Sequence, residues 1–224
     1  MIRNMKNVKN FLLSIKEVIV LLIIQYIILI GVILIVGKDR AIIIGTLVIV
    51  VFEVCYIIYK YRYRENVLYI KDGKNVYFPY ILLGIGISVI YNMIIFKLGI
   101  INNITNIDIF INIIASIIVG PIFEEVLFRF SLINKFEVYF SRKCSVWLST
   151  IIFALCHTGI ITIIFAFIIG IVNGYLYSTK RDILIPIFVH ISANMIATFL
   201  FGYNGTILVL GFLLIIISYF IVKE

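Results

Sequence analysis

Apolar runs of about 20 residues, the length a helix needs to cross a bilayer, recur along almost the whole of this chain. In hydrocarbon every backbone N–H and C=O must be satisfied within the protein, so runs of this length fold as helices. The candidate spans are 18–36, 41–59, 79–98, 107–133, 145–156, 160–177, 183–201 and 206–222. The fold class expected is therefore all-α, a polytopic membrane helical bundle of about eight transmembrane helices. Only 13% of the 224 residues are charged, against about 25% in a soluble domain. Met1 to Glu17 is basic, but the apolar run from Val18 to Val36 is too long for a signal-peptide core and lacks a small-residue cleavage site. It reads as the first span and as its own targeting signal.

Cationic residues set the orientation. With a cytoplasmic N-terminus, the inside segments hold Arg3, Lys6, Lys9 and Lys16, then Lys60, Arg62, Arg64, Lys71 and Lys74. They also hold Lys135, Arg142 and Lys143, then Lys180 and Arg181, and finally Lys223. The outside segments hold Lys38, Arg40 and Lys97, a ratio of fifteen to three. Both termini are then cytoplasmic, and the net charge of +8 reports topology rather than a nucleic-acid surface. The basic, tyrosine-rich loop 60–78 reads as a strip facing anionic lipid. Cys55, Cys144 and Cys156 show no paired spacing, so neither a disulfide framework nor a cysteine metal site is indicated. The Ile-, Asn- and Lys-rich composition is that of an A/T-rich bacterial genome, which places the protein in a bacterial plasma membrane.

Smaller features carry local expectations. Glu17 and Glu53 are expected to reach the interface or pair with neighbouring cations, Glu53 standing about two turns from Lys60. Asn103-Ile-Thr105 and Asn204-Gly-Thr206 match a glycosylation sequon, which carries little weight in a bacterial chain. Pro79 sits where it can open the third span. The fifth span, about 18 Å of helix, is too short to cross and reads as a half-span buried in protein. Ala166, Gly170 and Gly174 form a small-residue stripe that lets a neighbouring helix approach closely.

Charge inside the fourth span is the chemical signal. Gly120 to Phe130 reads Gly-Pro-Ile-Phe-Glu-Glu-Val-Leu-Phe-Arg-Phe, and an ionisable residue within a span is a functional candidate by default. Glu125 and Arg129 are four apart and share a helix face, with the acid N-terminal to the cation. Glu124 points about 100° away. The motif thus separates into a self-neutralised pair and one free carboxylate. The chain's two histidines are also within spans. His157 ends the fifth span, and His190 shares a helix face with Asn194 in the seventh. Counted from the nearest inside cation, Glu124, His190 and His157 lie about 16, 14 and 21 Å deep. Pro121 and Pro186, just before Glu124 and His190, can kink the helices and open a polar cavity at that depth, although Pro186 can equally lie in the first turn of its span.

Glu124-Glu125-x-x-x-Arg129, Phe153-x-x-x-His157 and His190-x-x-x-Asn194, in that order, resemble the three motifs of the CPBP family, the CAAX proteases and bacteriocin-processing (Abi) intramembrane endopeptidases. The resemblance covers about residues 120–200. It implies peptide-bond hydrolysis within the bilayer and organises the chain as 1–106 (three N-terminal helices with the basic loop 60–78), 107–201 (a CAAX-protease-like catalytic core) and 202–224 (a final transmembrane helix). Amide hydrolysis needs an activated water and a stabiliser for the oxyanion. On this reading Glu124 and His157 activate the water, and His190 and Asn194 donate to the oxyanion. Glu125 and Arg129 orient the helix.

A metal reading uses the same residues. Glu124, His157 and His190 make a His₂Glu set like that of catalytic zinc sites, with a fourth position for water, so Zn²⁺ remains open as a cofactor. No HExxH is present, and the remaining base, Glu125, is tied to Arg129. The partners expected are a peptide or membrane-protein substrate and the lipid bilayer. Substrates implied by the resemblance are bacterial peptides, pheromones or bacteriocins, or targets in self-immunity, with a prenylated CAAX protein as the alternative. Two other classes use the same polar residues, a non-catalytic immunity or regulatory scaffold and a proton-coupled transporter. The lack of repeat symmetry weighs against the transporter.

Overall fold

The structure is a computed structural model describing residues 2–63, 77–100, 111, 113–199 and 202–223. Among the described residues it is helical with no strand. Eight helices follow in order: α1 (Ile2–Val36), α2 (Lys38–Tyr63), α3 (Phe78–Lys97), α4 (114–137), α5 (Arg142–Leu155), α6 (Ile160–Lys180), α7 (Leu184–Phe199) and α8 (Gly205–Lys223). Each expected span has its helix. α1, α2, α3, α6 and α8 contain stretches long and apolar enough to cross a membrane, and the protein is a multi-pass membrane protein. α1 extends far beyond the expected start at Val18, so the basic N-terminal segment continues the first span as one helix. Residues 64–76 of the basic loop, the Asn103 sequon and residues 107–110 of the expected fourth span lie outside the described residues.

Local sequence explains the helix ends. Pro79 lies in the first turn of α3, where its missing N–H costs nothing. Ser141 caps α5, its Oγ accepting from the Cys144 N–H. α5 has 14 residues, about 21 Å, and does not reach across a hydrocarbon core of about 30 Å, as expected of a half-span. The chain then turns through Gly159 at φ +84°, a conformation that favours glycine. His157 is thereby held in a turn beyond the end of α5. Pro186 is in the first turn of α7 rather than in a mid-helix kink. Asn204 Oδ1 accepts from the Thr206 and Ile207 N–H groups, so the second sequon asparagine caps α8.

α4 is the central helix. It touches α1, α2, α5, α6 and α7, whereas α3 packs between α7 and α8. Its backbone is not uniform. Ile114–Val119 and Glu125–Ile133 are wound in wide i→i+5 turns on either side of the α-helical Gly120–Glu124. Such turns are uncommon and concentrate at functional sites. Glu124 and Glu125 straddle one of these transitions.

Close approaches and ion pairs hold the other helices. A Cβ on Gly170 would lie 2.9 Å from Thr150 Cγ2, and one on Gly174 2.9 Å from Val146 Cγ1. The small-residue stripe therefore admits α5 against α6. Glu17 of α1 pairs with Lys60 of α2 and Lys135 of α4. Glu137 of α4 pairs with Arg181 after α6, and Tyr77 before α3 donates to Asp182. These contacts tie the middle of α1 to the ends of α2, α3, α4 and α6, segments that the cation count places on a single side. Lys60 is committed to Glu17, so the expected pairing of Lys60 with Glu53 does not form.

The tightest packing is at Gly84 of α3, where a Cβ would fall 2.1 Å from Ser192 Oγ and 2.2 Å from the Val189 carbonyl oxygen of α7. Gly84→Ala is expected to destabilise the protein by about 1–3 kcal/mol through overpacking, read as a lowered melting temperature in detergent. Gly31→Ala, where nothing lies within 4 Å, is expected to leave it unchanged or slightly raised.

Candidate active site

A cavity of about 440 Å³ opens between α2, α4, α6 and α7. Glu53, Glu124, Phe153, His157, His190 and Asn194 all line it. The three sequence motifs therefore converge, although the helices that carry them are separate.

Glu125 and Arg129 form the floor. Both are fully buried, and Arg129 Nε lies 3.1 Å from Glu125 Oε2. The contact is an ion pair rather than an aligned hydrogen bond, and among the described residues neither Nη1 nor Nη2 of Arg129 has a hydrogen-bond partner. The guanidinium instead lies over the Phe153 ring, 4.4 Å from its centroid, a cation–π contact strengthened by the absence of water. Glu125 Oε1 takes two further contacts, Asn173 Nδ2 at 2.9 Å and His190 Nδ1 at 2.7 Å. The self-neutralised pair read from sequence is thus part of a larger cluster that joins α4, α6 and α7.

Hydrogen-bond partners set the histidine tautomers. A carboxylate oxygen only accepts, so His190 Nδ1 carries hydrogen and donates to Glu125. Its other nitrogen, Nε2, lies 3.6 Å from Glu124 Oε2, too long for a hydrogen bond but close enough for strong Coulomb coupling. His157 Nδ1 donates to the Phe153 carbonyl oxygen at 2.9 Å, which leaves its Nε2 as an acceptor. Asn194 Nδ2 donates to the Ser116 carbonyl oxygen at 2.9 Å, and one N–H of that amide remains. Glu124 is the exposed member, with 28% of its side chain accessible against 0% for Glu125.

Among the described residues no group of three or more His, Cys, Asp and Glu side chains converges closely enough to hold a metal ion. Glu124, His157 and His190 share the cavity wall without sharing a centre, and their rings and carboxylate as placed do not fit a three-ligand zinc site.

Residues 106–196 match a family described as Rce1-like, type II CAAX prenyl endopeptidase. All seven residues of the three motifs fall within that segment. Over that segment the chain is similar to the Rce1-like family. The Bacillus subtilis (strain 168) protein named "Putative membrane peptidase YdiL" is 33% identical over 86 residues, 37% of this chain and 34% of that protein. The match thus spans about a third of that relative's length. No solved structure matches the chain.

Two residues at the site were not singled out as site residues by the sequence. Asn173 is fully buried and links Glu125 to the Pro186 carbonyl oxygen at 3.1 Å. Its signal was a lone amide beside the small-residue stripe of an apolar helix. Glu53, expected at the interface or beside a cation, instead lines the cavity and accepts from Gln25 Nε2 at 3.1 Å. Phe153 also gains a role beyond its place in a motif. Its carbonyl fixes His157, and its ring centroid lies 4.8 Å from that of His157 and 5.8 Å from that of His190.

Asn173→Ala removes two buried hydrogen bonds, one to a carboxylate. A loss of about 1–3 kcal/mol is expected, measured by denaturation in detergent. A double-mutant cycle with Glu125→Gln is expected to show coupling of at least about 0.5 kcal/mol. Additive losses would mean that the two side chains act independently.

Proposed function

We propose that this protein is an intramembrane endopeptidase that hydrolyses a peptide bond with a water activated by Glu124. The observation that carries the reading is the division between the two adjacent glutamates. Glu125 is consumed by Arg129, Asn173 and His190, whereas Glu124 opens onto a cavity that also receives His157, His190 and Asn194.

The chemistry follows from the donor and acceptor assignments. Water in the cavity gives one hydrogen bond to Glu124 and one to His157 Nε2. Glu124 takes the proton as the water oxygen adds to the scissile carbonyl carbon. Negative charge grows on the carbonyl oxygen, where the protonated Nε2 of His190 and the remaining N–H of Asn194 are donors. Collapse breaks the C–N bond, and the proton on Glu124 passes to the departing amine nitrogen. Glu125 keeps His190 oriented and its Nδ1 protonated, while Arg129 offsets the charge of Glu125.

A second, wholly apolar cavity of about 310 Å³ supports a membrane-associated substrate. Ile122 and Val126 line it together with Ile57, Ile187 and others, on the face of α4 turned away from Glu124, so an apolar portion of a substrate has a place against the same helix. Processing of bacterial peptides, pheromones or bacteriocins, or a role in self-immunity, fits a CPBP member of this kind. A prenylated CAAX-type substrate fits the same apolar cavity.

Purified protein is expected to cleave a quenched fluorogenic peptide library. Glu124→Gln is expected to lower turnover by about 10²–10⁴-fold with melting temperature retained, and a chelator is expected to leave wild-type turnover unchanged. Loss of turnover to chelator with recovery on adding zinc would replace this mechanism with one in which Glu124, His157 and His190 are ligands. Full activity in Glu124→Gln would remove the glutamate-activated water.

A further inference from the structure

One charged group in the cavity wall has no part in the hydrolysis. Glu53 of α2 is 8% exposed and lines the same cavity as Glu124. Its Oε1 accepts from the neutral Gln25 amide of α1. Among the described residues no Lys, Arg or His pairs with it. Lys60, seven residues further along α2, is spent on Glu17. The other acid on the cavity wall, Glu124, faces His190, so among the described residues Glu53 is the carboxyl group of the cavity with no basic side chain against it.

A structural role does not require the carboxyl group. Glutamine at position 53 would accept the same hydrogen bond from Gln25 and would carry no charge into an apolar interior, where an unpaired carboxylate is costly. Thr46, Ile49, Val50 and Glu53 present one face of α2 along the cavity, opposite Gly120, Pro121 and Glu124 of α4. A peptide lying between the two helices with its scissile carbonyl at Glu124 would pass another of its groups beside Glu53. A cation in that group would supply the missing partner. It would also cancel the repulsion that an ionised Glu53 exerts on an oxyanion forming beside Glu124.

We propose that Glu53 forms a subsite for a cationic group of the substrate, a lysine or arginine side chain or a free amino terminus. The proposal rests on the endopeptidase reading and extends it to specificity. Glu53 lies outside the segment 106–196 that carries the family match, so this selectivity belongs to the way α2 closes the cavity in this chain.

The test uses quenched peptide pools identical except for one position, fixed as lysine, norleucine or glutamate, with the amino terminus free or acetylated. Cleavage and binding, the latter by fluorescence anisotropy, are measured for the wild-type protein and for Glu53→Gln and Glu53→Lys. Wild type is expected to favour a cationic pool by about 10–100-fold in kcat/KM over its neutral counterpart, the range of a hydrogen bond between charged groups. Glu53→Gln is expected to bring the ratio within about twofold, and Glu53→Lys to shift preference toward glutamate. Preference that survives acetylation assigns the cation to a side chain, and preference abolished by acetylation assigns it to the amino terminus. A cationic preference in binding with no cleavage of any pool supports the subsite and removes the hydrolysis reading. Cleavage with no such preference in wild type overturns the subsite and leaves hydrolysis standing. So does a preference that persists in Glu53→Gln at an unchanged melting temperature. Absence of both binding and cleavage overturns both.

Discussion

The buried carboxylate of Glu125 is the constraint on which the rest of the structure depends. It lies with Arg129 at the centre of an apolar helix, where neither group has water to solvate it. One ion pair does not satisfy a carboxylate and a guanidinium in such a place. Further contacts come from elsewhere, from Asn173 of α6 and His190 of α7 to the carboxylate and from the face of Phe153 of α5 to the guanidinium. Each partner is a side chain on a different helix. The arrangement of α5, α6 and α7 around α4 is therefore enforced by polar satisfaction as much as by apolar packing. Removing one partner of a buried pair typically costs about 3–5 kcal/mol, so the cluster is stable only when complete.

The same requirement prepares the chemistry. Because Glu125 is fixed from behind, it fixes His190, and His190 in turn presents Nε2 toward Glu124. Phe153 performs the matching task for His157, through its carbonyl on one side and its ring on the other. The reactive groups face the cavity with their tautomers already chosen. The change in backbone winding at Glu124 and Glu125 lets two successive residues serve these opposite purposes, one sealed among protein groups and the other turned to the cavity.

Much of this was legible in sequence, and the reasons are specific. Apolar run lengths gave eight helices because a backbone in hydrocarbon has no alternative to internal hydrogen bonding. The spacing of Glu125 and Arg129 gave their ion pair because helical periodicity is local. Gly170 and Gly174 announced a close helix contact because small residues are needed wherever backbones approach. What escaped was every interaction decided by which helix stands beside which. Lys60 looked available to Glu53 from seven residues away, yet Glu17, 43 positions earlier, holds it. Asn173 resembled one polar residue in an apolar helix until Glu125 and Pro186 were beside it. Glu53 looked like an interfacial acid, and only the placement of α2 over α4 made it a wall of the cavity.

By itself, then, the sequence determined the number and order of the helices, the segments that share a side, and the polar residues that an apolar chain does not carry without a use. These are set by local periodicity and by the cost of charge in hydrocarbon, both of which act residue by residue. The tertiary structure decided which glutamate is sealed and which is open, which histidine nitrogen carries hydrogen, and which acid outside the motifs joins the site. Those outcomes depend on donors and acceptors meeting across different helices, and nothing in the order of residues along one helix fixes the neighbour it will have.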